Sequence, residues 1–229
     1  MIQRKNVSVS FMIMGILLTT CLIASNLLET KILQFGRFTM TAGVLCFPIS
    51  YILNDCICEV WGYRKTRLII WTAFLMNFIV VTLGQLAVML PAADYWKESE
   101  PHFNFVFGLA PRIAVASFLA FLTGSFVNAY VMSRMKVRQQ GRNFSLRAIA
   151  STLWGEGADS LIFFPIAFYG LIPIPDLLKL MALQVCTKTA YEVVMLPVTI
   201  RVVRFVKKIE GTDVYDTDLS YNPLKIQEL

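Results

Sequence analysis

The sequence predicts an all-α, polytopic membrane protein with six transmembrane helices, and its composition and charge spacing carry the prediction. Of the 229 residues, 56% are apolar or aromatic and only 16% are charged. The mean hydropathy is +0.61, and a water-soluble domain of this size needs more charged surface. Uncharged stretches occupy residues 6–28, 68–93 and 113–133. Each can cross a hydrocarbon core of about 30 Å at about 1.5 Å per helical residue.

The apolar runs between charged clusters predict a single transmembrane domain over residues 1–229. Spans are expected at about 7–28, 40–60, 67–91, 111–132, 148–170 and 178–206, followed by a tail at 207–229. A basic pair at 4–5 precedes the first span, and a cluster at 64–67 separates the second from the third. A longer cluster at 134–147 separates the fourth from the fifth, and the sixth ends in a cluster at 201–208.

Lysine and arginine are distributed unequally between the two sides of the predicted membrane domain. Fifteen lie in the termini and loops of one side and four on the other. The positive-inside rule therefore places both termini, and the tail, in the cytoplasm. The formal charge of +6 does not indicate a nucleic-acid partner, because the basic residues form short clusters between hydrophobic runs rather than one extended patch.

Motifs that would indicate an enzyme or a bound cofactor are absent from the sequence. It has no GxxxxGK[ST] phosphate loop, no HExxH, and a single histidine, His102. The five cysteines lie in or beside apolar segments without a CxxC pair, which is typical of buried thiols. We expect neither enzymatic activity nor a resident cofactor or metal.

Two polar segments lie outside the predicted spans. The external segment 91–111 combines acidic and aromatic residues, which fits either a lid over the external face or an aromatic belt at the interface. The tail carries Asp213, Asp216 and Asp218, but it has too few ligands and no glycine turn for a cation loop. We expect a solvated tail.

Charged residues inside the last two spans mark the candidate site, because a charge within the bilayer is costly and is usually retained for function. Glu156 and Asp159 lie roughly 14 and 18 Å above the basic edge of span five at about 1.5 Å per residue. Glu192 and Lys188 lie at similar heights in span six. If the two helices are antiparallel neighbours, Glu156 is level with Glu192, and Asp159 pairs with Lys188.

Polar residues repeat every four positions on both helices, so each helix has one polar stripe that must face protein or water. The stripes are Ser151, Gly155 and Asp159 in span five, and Gln184, Lys188 and Glu192 in span six. One interpretation is a structural salt bridge that holds the bundle together. The number of polar side chains favours a binding site for a planar polar solute with many donors and acceptors.

Further polar residues lie in the other spans. Asn26 and Arg112 lie near the external ends of spans one and four. Asp55 and Glu59, four residues apart in span two, are expected to pair with basic residues of the next loop, namely Arg64, Lys65 or Arg67. For Asp55 a structural anchor and a functional site, such as a proton relay, are equally supported; for Glu59 the anchor is favoured. Small residues four apart in span four allow either a homodimer face or packing within the bundle; they are Ala116, Ala120 and Gly124.

Four motifs extend the interpretation beyond composition and spacing. They are FPI and NDCICEVWG within 47–62, PRIAVASF at 111–118, STLWGEGADSLIFF at 151–164, and Lys188 followed by YEV at 191–193 and Pro197. Together they resemble the queuosine precursor transporter family, also described as vitamin uptake transporters. The similarity extends in order over nearly the whole chain.

The resemblance implies a six-helix, multi-pass protein of the bacterial inner membrane, similar in architecture to the substrate-binding subunits of energy-coupling-factor transporters. It implies import of a 7-deazaguanine for salvage into tRNA modification: 7-cyano-7-deazaguanine, 7-aminomethyl-7-deazaguanine or queuine. The expected partners are this small molecule and the lipid bilayer. The alternatives are a binding subunit for another vitamin-like solute that works with a separate ATPase module, and a membrane scaffold that transports nothing.

The chemistry of such a base suits the polar stripes, because a carboxylate accepts from N1–H and the exocyclic amine while a lysine or amide donates to O6. Glu192 is expected to hold a cationic aminomethyl group, and an aromatic ring to stack on the base. The expected substrate-binding residues are Asn26, Arg112, Trp154, Glu156, Asp159, Gln184, Lys188, Tyr191 and Glu192.

Overall fold

Six α-helices and one short β-hairpin make up the part of the chain that the structure describes. This computed structural model describes residues 8–28, 30–35, 38–108, 111–170, 173–217 and 219–225. In order, the elements are α1 (Val9–Leu28), β1 (Ile32–Phe35), β2 (Phe38–Thr41), α2 (Phe47–Met89), α3 (Glu100–Phe107), α4 (Pro111–Arg138), α5 (Phe144–Phe168) and α6 (Ile174–Glu210). The prediction of a mainly helical chain is confirmed. The basic pair at 4–5 and the tail end at 226–229 lie outside the described residues.

The segment between α1 and α2 differs from the prediction, which began the second span at about residue 40. Residues 32–35 and 38–41 instead pair as the antiparallel strands β1 and β2, a 3₁₀ turn follows, and α2 begins at Phe47. The reason is local: two four-residue runs rich in β-branched and aromatic side chains flank a two-residue connection containing glycine, which favours paired strands over helix.

The predicted loop between spans two and three is reduced to one residue. Within α2, Gly62 departs from helical geometry, with φ 80° and ψ 171°, a combination that essentially only glycine adopts. A Cβ at this position would lie 2.8 Å from a carboxylate oxygen of Asp216. Gly62 therefore divides α2 into a first half, 47–61, and a second half, 63–89, which correspond to the predicted second and third spans.

The helix α4 packs along α5, and α5 packs along α6, while α2 packs against α1, α4 and α6. In an apolar solvent such association depends on close packing and polar contacts rather than on hydrophobic burial. The small-residue stripe of α4 is used in this way: Ala116, Ala120 and Gly124 are buried within the chain. This stripe therefore packs inside the bundle and is not a dimer face.

One end of the bundle, which we call the basic end, carries the C-termini of α4 and α6 and the N-terminus of α5. Lys136, Arg147 and Lys207 lie there with the Gly62 break of α2. Near this end the first turns of α1 pack on α2, where the rings of Phe11 and Trp61 meet edge to face at 5.3 Å. The basic loops predicted to share one side of the membrane thus converge in the fold.

At the opposite end, the segment predicted as a lid or an aromatic belt folds against α2. A 3₁₀ turn at Asp94–Trp96 precedes α3. Gln85 Nε2 donates to the carbonyl oxygen of Phe107 at 2.7 Å, and the Phe107 ring fills the space beside Gly84. The segment therefore packs on the end of α2, and its role as lid or belt stays a prediction.

Three helices of the described chain are long and apolar enough to cross a membrane: Val9–Leu28, Ile49–Met89 and Ala114–Arg138. The 41-residue helix contains the Gly62 break, so it covers two of the predicted spans. The helices α5 and α6 have 25 and 37 residues and carry the buried charges of the candidate site. Charged side chains lower their hydropathy, which is why apolarity alone does not mark them.

The tail after α6 is not the solvated segment that we predicted. The Asp216 carboxylate accepts hydrogen bonds from the backbone N–H of Tyr63 at 2.9 Å and from Ser133 Oγ at 2.5 Å. Tyr63 Oη in turn donates to the carbonyl oxygen of Tyr221 at 3.0 Å. The prediction failed because the tail supplies acceptors to donors buried on α2 and α4, which its own composition does not reveal. Asp218 lies outside the described residues.

Candidate functional site

Two acids and one lysine meet between α5 and α6, and we call them the central cluster. Lys188 Nζ lies 2.8 Å from a carboxylate oxygen of Glu156 and 4.0 Å from one of Asp159. Both acids are buried. The predicted pairing of Asp159 with Lys188 is present at 4.0 Å, and Glu156, which the prediction placed level with Glu192, lies closer to the same lysine. The long flexible side chain of lysine reaches about one helical turn, and the longer glutamate side chain meets it.

Glycines bring α4 and α5 together beside the central cluster. A Cβ on Gly124 would lie 3.0 Å from Cβ of Asp159 and 3.3 Å from the hydroxyl of Tyr51. A Cβ on Gly155 would lie 2.8 Å from Cβ of Asn128. These close approaches allow α2, α4 and α5 to present polar side chains to one another at the level of the cluster.

One turn nearer the basic end, two buried amides bridge α2 and α4. Asn54 Nδ2 donates to Asn128 Oδ1 at 2.7 Å, and both side chains are buried. Sequence reasoning missed this pair and Tyr51, because neutral polar residues in an apolar helix attract less attention than charges. A signal was present: Tyr51 and Asn54 are three apart, and Gly124 and Asn128 are four apart, so each pair shares one helix face.

The next level holds Asp55 and Ser151. Ser151 Oγ lies 3.4 and 3.5 Å from the two carboxylate oxygens of Asp55, and both residues are fully buried. Glu192 of α6 is also buried and lies within electrostatic range of Asp55 and Glu156. A continuous line of acidic side chains therefore extends from the central cluster towards the basic end.

At the basic end, Glu59 is surrounded by cations, and we call this group the basic-end cluster. Both Glu59 carboxylate oxygens accept from Arg147 Nη2 at 2.8 Å, and one accepts from Lys207 at 2.7 Å. Lys136 donates to the Glu59 carbonyl oxygen and pairs with Asp213 of the tail. The predicted pairing of Glu59 with Arg64, Lys65 or Arg67 is wrong, because partners from α4, α5 and α6 occupy its carboxylate.

Asp213 and Arg67 tie the tail to this end. Burial alone would raise the pKa of Asp213, but the hydrogen bonds and charges of Lys136 and Lys207 outweigh it and lower that pKa below its ordinary range. Arg67, fully buried, donates from Nη1 to the carbonyl oxygen of Asn222 at 2.8 Å. Buried charges paired and hydrogen-bonded in this way hold elements together.

The remaining predicted site residues are scattered. Gln184 is half-buried one turn from Lys188 on α6. Tyr191 packs partly buried against the core of α1 and α2, whereas Trp154 is 65% exposed on the outer surface of α5. The structure therefore does not bring Trp154 to the central cluster, since it points away from the polar stripe. The side chain of Arg112 lies outside the described residues.

Asn26 lies in a second cavity. Its Nδ2 donates to Asn77 Oδ1 at 3.0 Å, and both line a space between α1, α2 and α3. The cavity near the central cluster is lined instead by residues of α1, α2 and α4, namely Leu18, Ser50, Tyr51, Asn54, Ile70, Phe121 and Ser125. The two cavities share no lining residue, so the structure separates Asn26 from the predicted site.

The arrangement is suited to binding a polar solute. Within the residues that the structure describes, no three His, Cys, Asp or Glu side chains come together to hold a metal ion. The central cluster offers carboxylates and an ammonium group in a buried setting, and the amide pair adds neutral donors and acceptors beside it. Such a set can recognise an uncharged, planar molecule through directed hydrogen bonds.

Comparisons with known proteins place these residues in a family context. Residues 41–202 match a family described as putative vitamin uptake transporters. The chain is 26% identical over 176 residues to a probable queuosine precursor transporter of Bacillus subtilis, an alignment that covers 76% of each chain. It is 30% identical over 152 residues to the queuosine precursor transporter of Escherichia coli, covering 64% of this chain and 63% of the relative.

A third relative, a probable queuosine precursor transporter of Haemophilus influenzae, is 31% identical over 134 residues, which cover 58% of this chain and 53% of the relative. No solved structure shows a significant match to the chain.

Proposed function

Because the chain belongs to the family of putative vitamin uptake transporters, we propose that it imports queuosine precursors, as its relatives' names indicate for them. The substrate class we propose is the free 7-deazaguanine base: 7-cyano-7-deazaguanine, 7-aminomethyl-7-deazaguanine or queuine. The chain acts as a transporter, with no chemical conversion of its solute.

The observation that carries this proposal is the central cluster itself. Its two acids face a single lysine in a buried setting, so the group has more acceptors than a structural ion pair needs. The Watson–Crick edge of a guanine-like base presents N1–H and an amine beside a carbonyl oxygen. A carboxylate beside an ammonium group is complementary to that edge.

In this proposal Glu156 and Asp159 accept hydrogen bonds from N1–H and the exocyclic amine, and Lys188 donates to O6. Gln184, one turn along α6, supplies a further amide, and Glu192 offers its carboxylate to a cationic aminomethyl substituent. Lys188 and Glu156 are already 2.8 Å apart, so the donor and acceptor that the base requires are pre-positioned side by side, which lowers the cost of ordering them on binding.

The proposal places α1, the two halves of α2, and α4, α5 and α6 across the bacterial inner membrane as six crossings. Both termini and the tail lie in the cytoplasm, in accord with the excess of basic residues at one end. The architecture proposed is that of the substrate-binding subunits of energy-coupling-factor transporters. We propose that a single chain suffices for binding. The alternatives are a homodimer and a separate ATPase module, and reconstitution of the purified chain alone would test them.

The decisive experiment is a ligand-induced thermal shift of the detergent-purified chain. We expect 7-cyano-7-deazaguanine to raise Tm and adenine and biotin to leave it unchanged, since a ligand that binds only the native state stabilises it. Glu156→Gln and Lys188→Met should abolish the shift. The matched control is Lys179→Met, which removes an exposed lysine of the same helix paired with Asp176.

Two outcomes would contradict the proposal. A folded protein whose Tm does not move at ligand concentrations well above micromolar has a different solute or requires a partner for binding. An equal shift in the wild type and in both central-cluster variants would mean that the base binds elsewhere. Uptake of labelled base into liposomes containing only this chain then distinguishes a transporter from a binding subunit that depends on an ATPase.

A further inference from the structure

We infer that the buried amide pair Asn54–Asn128 hydrogen-bonds to N3 and N9–H of the bound base, and thereby selects a free base over its nucleoside. The inference rests on the proposed function, because it assigns the second edge of the same ligand. It names two specificity-determining residues on α2 and α4, whereas the acids and lysine of the central cluster lie on α5 and α6.

The pair has unused hydrogen-bonding capacity. Asn54 Nδ2 donates to Asn128 Oδ1 at 2.7 Å, while Asn54 Oδ1 accepts no hydrogen bond among the described residues. Asn54 is 5% exposed and Asn128 is fully buried. Buried amide groups without partners cost stability, so such groups in a native structure indicate a ligand or a bound water. Asn128 also hydrogen-bonds to the Asp55 carboxylate, which takes one of the two N–H donors of its amide and leaves the other for a ligand.

The free groups match the chemistry of one edge of the base. Whichever amide donates within the pair, one acceptor and one donor remain available. A 7-deazaguanine presents N9–H, a donor, next to N3, an acceptor, on the edge across the ring from O6. An acceptor from Asn54 and a donor from Asn128 are complementary to those two atoms.

The position of the pair suits a ligand held by the central cluster. Asn128 packs against Gly155, the residue that directly precedes Glu156, and consecutive Cα atoms are only about 3.8 Å apart. Asn54 lies on the same face of α2 as Tyr51, whose hydroxyl is close to Gly124 and Asp159. Both Asn54 and Tyr51 line the small cavity between α1, α2 and α4. In this inference the bicyclic base lies between the acids and the amides.

A nucleoside cannot make this contact, because its sugar replaces the N9 hydrogen. The carbonyl oxygen of Asn54 would then remain unpaired in a buried position, and the sugar would meet the closely packed α4–α5 contact at Gly124 and Gly155. Sites built to hydrogen-bond a donor reject analogues that lack it more strongly than apolar pockets reject extra bulk.

The test compares three probes on the purified full chain: 7-cyano-7-deazaguanine, its 9-methyl derivative, and its 3-deaza analogue, which lacks the N3 acceptor but adds no bulk. For the wild type we expect both analogues to bind at least about tenfold more weakly, the loss of a buried hydrogen bond whose partner stays unsatisfied. The 3-deaza analogue separates hydrogen bonding from steric exclusion without any variant.

Variants assign the discrimination to the pair. In Asn54→Ala, we expect the preference for the parent base over the 9-methyl analogue to fall below about threefold. In Asn128→Ala, we expect the same reduction for the preference over the 3-deaza analogue. Each preference is a ratio within one variant, so a reduced folded fraction cancels. The matched control is Asn77→Ala, which disrupts the other inter-helix amide pair, with Asn26, and should keep the wild-type preference.

The outcomes distinguish the inference from the function on which it rests. Equal affinity of the wild type for the parent base and both analogues overturns the inference and leaves the proposed function intact. A preference that persists in both alanine variants also overturns it, because the discrimination would then come from other residues. Failure of folded wild-type protein to bind the parent base overturns the proposed function and the inference together.

Discussion

The central cluster and the basic-end cluster both include charged residues of α5 and α6, yet they differ in their balance of acids and cations. At the basic end, Glu59 receives hydrogen bonds from Arg147 and Lys207, and Asp213 neutralises part of the remaining positive charge. In the central cluster, two acids share one lysine. In the basic-end cluster the buried charges are paired with several partners, whereas the central cluster has more acidic acceptors than cations.

In our proposal, this difference separates a structural anchor from a binding site. A buried carboxylate that accepts several charged hydrogen bonds has little left to offer a ligand, and removing it would leave unpaired cations. A cluster with surplus acceptors and an adjacent unsatisfied amide pair instead retains capacity for a solute. The predictions below test this contrast, from the largest expected effect to the smallest.

Removing the Glu59 carboxylate should be the most damaging change. We expect Glu59→Gln to lower the free energy of unfolding by about 3–5 kcal/mol, because the buried Arg147 and the half-buried Lys207 lose their shared partner. Denaturant titration or thermal melting in detergent measures the loss. Asp176→Asn, which breaks an exposed ion pair on α6, should change stability by less than about 1 kcal/mol. Equal effects of the two would remove the distinction between the clusters.

Lys188→Met should affect binding more than folding. We expect the deazaguanine affinity to fall roughly 10- to 150-fold, the loss of a charge-assisted hydrogen bond worth about 1.5–3 kcal/mol. Its stability cost should be smaller than that of Glu59→Gln, since Lys188 is partly exposed whereas Glu59 is buried and is the shared partner of Arg147 and Lys207. Isothermal titration calorimetry measures the affinity, and thermal melting of the same preparations measures the stability. A stability loss matching that of Glu59→Gln with unchanged affinity would make the central cluster an anchor.

The tail should behave as a docked element. Asp216→Ala leaves the Tyr63 N–H and the Ser133 hydroxyl without their acceptor, so we expect a loss of about 1–3 kcal/mol. Hydrogen exchange of residues 211–225 should rise while the central cluster keeps its ligand affinity. Unchanged exchange in this segment would show that Asp216 does not hold the tail.

The contacts that hold the tail should weaken at acidic pH and should change little with pH near neutrality. The pKa of Asp213 is lowered in the folded state, so its contribution to stability is present above the ordinary aspartate range and is lost as pH falls through the folded value. Exchange of residues 211–225 should therefore increase only under acidic conditions. In Asp213→Asn the segment should exchange faster at neutral pH and lose this acid dependence. A transition near neutrality in the wild type would point to another group.

The positions of the helices could be predicted from the sequence because charge clusters mark where a helix leaves the bilayer. The central acids could be predicted for the same reason, since Glu156, Asp159 and Lys188 are conspicuous in apolar surroundings. The closer contact of Lys188 with Glu156 could not be predicted, because a lysine side chain spans a helical turn and its nearest acid depends on how the two helices pack.

The residues that escaped prediction are those whose partners are distant in sequence. Asn54 and Asn128 are 74 positions apart, and Glu59 finds Arg147 88 positions away rather than a neighbour in its own loop. Neutral amides carry no charge signal, and a short acidic tail resembles solvated chain until its acceptors meet Arg67 and Tyr63. Long-range partners of this kind follow from packing, which single-sequence patterns do not encode.

The docked tail also sets an order in time. Asp216 closes the break at Gly62 from a position 153 residues after Tyr63, and Arg67 obtains its carbonyl partners from Ser220 and Asn222. During synthesis the Arg67 guanidinium and the Tyr63 amide therefore lack these partners until all six helices have been translated. The residues of the central cluster are available earlier, by Lys188, so the site can assemble before the basic end is sealed.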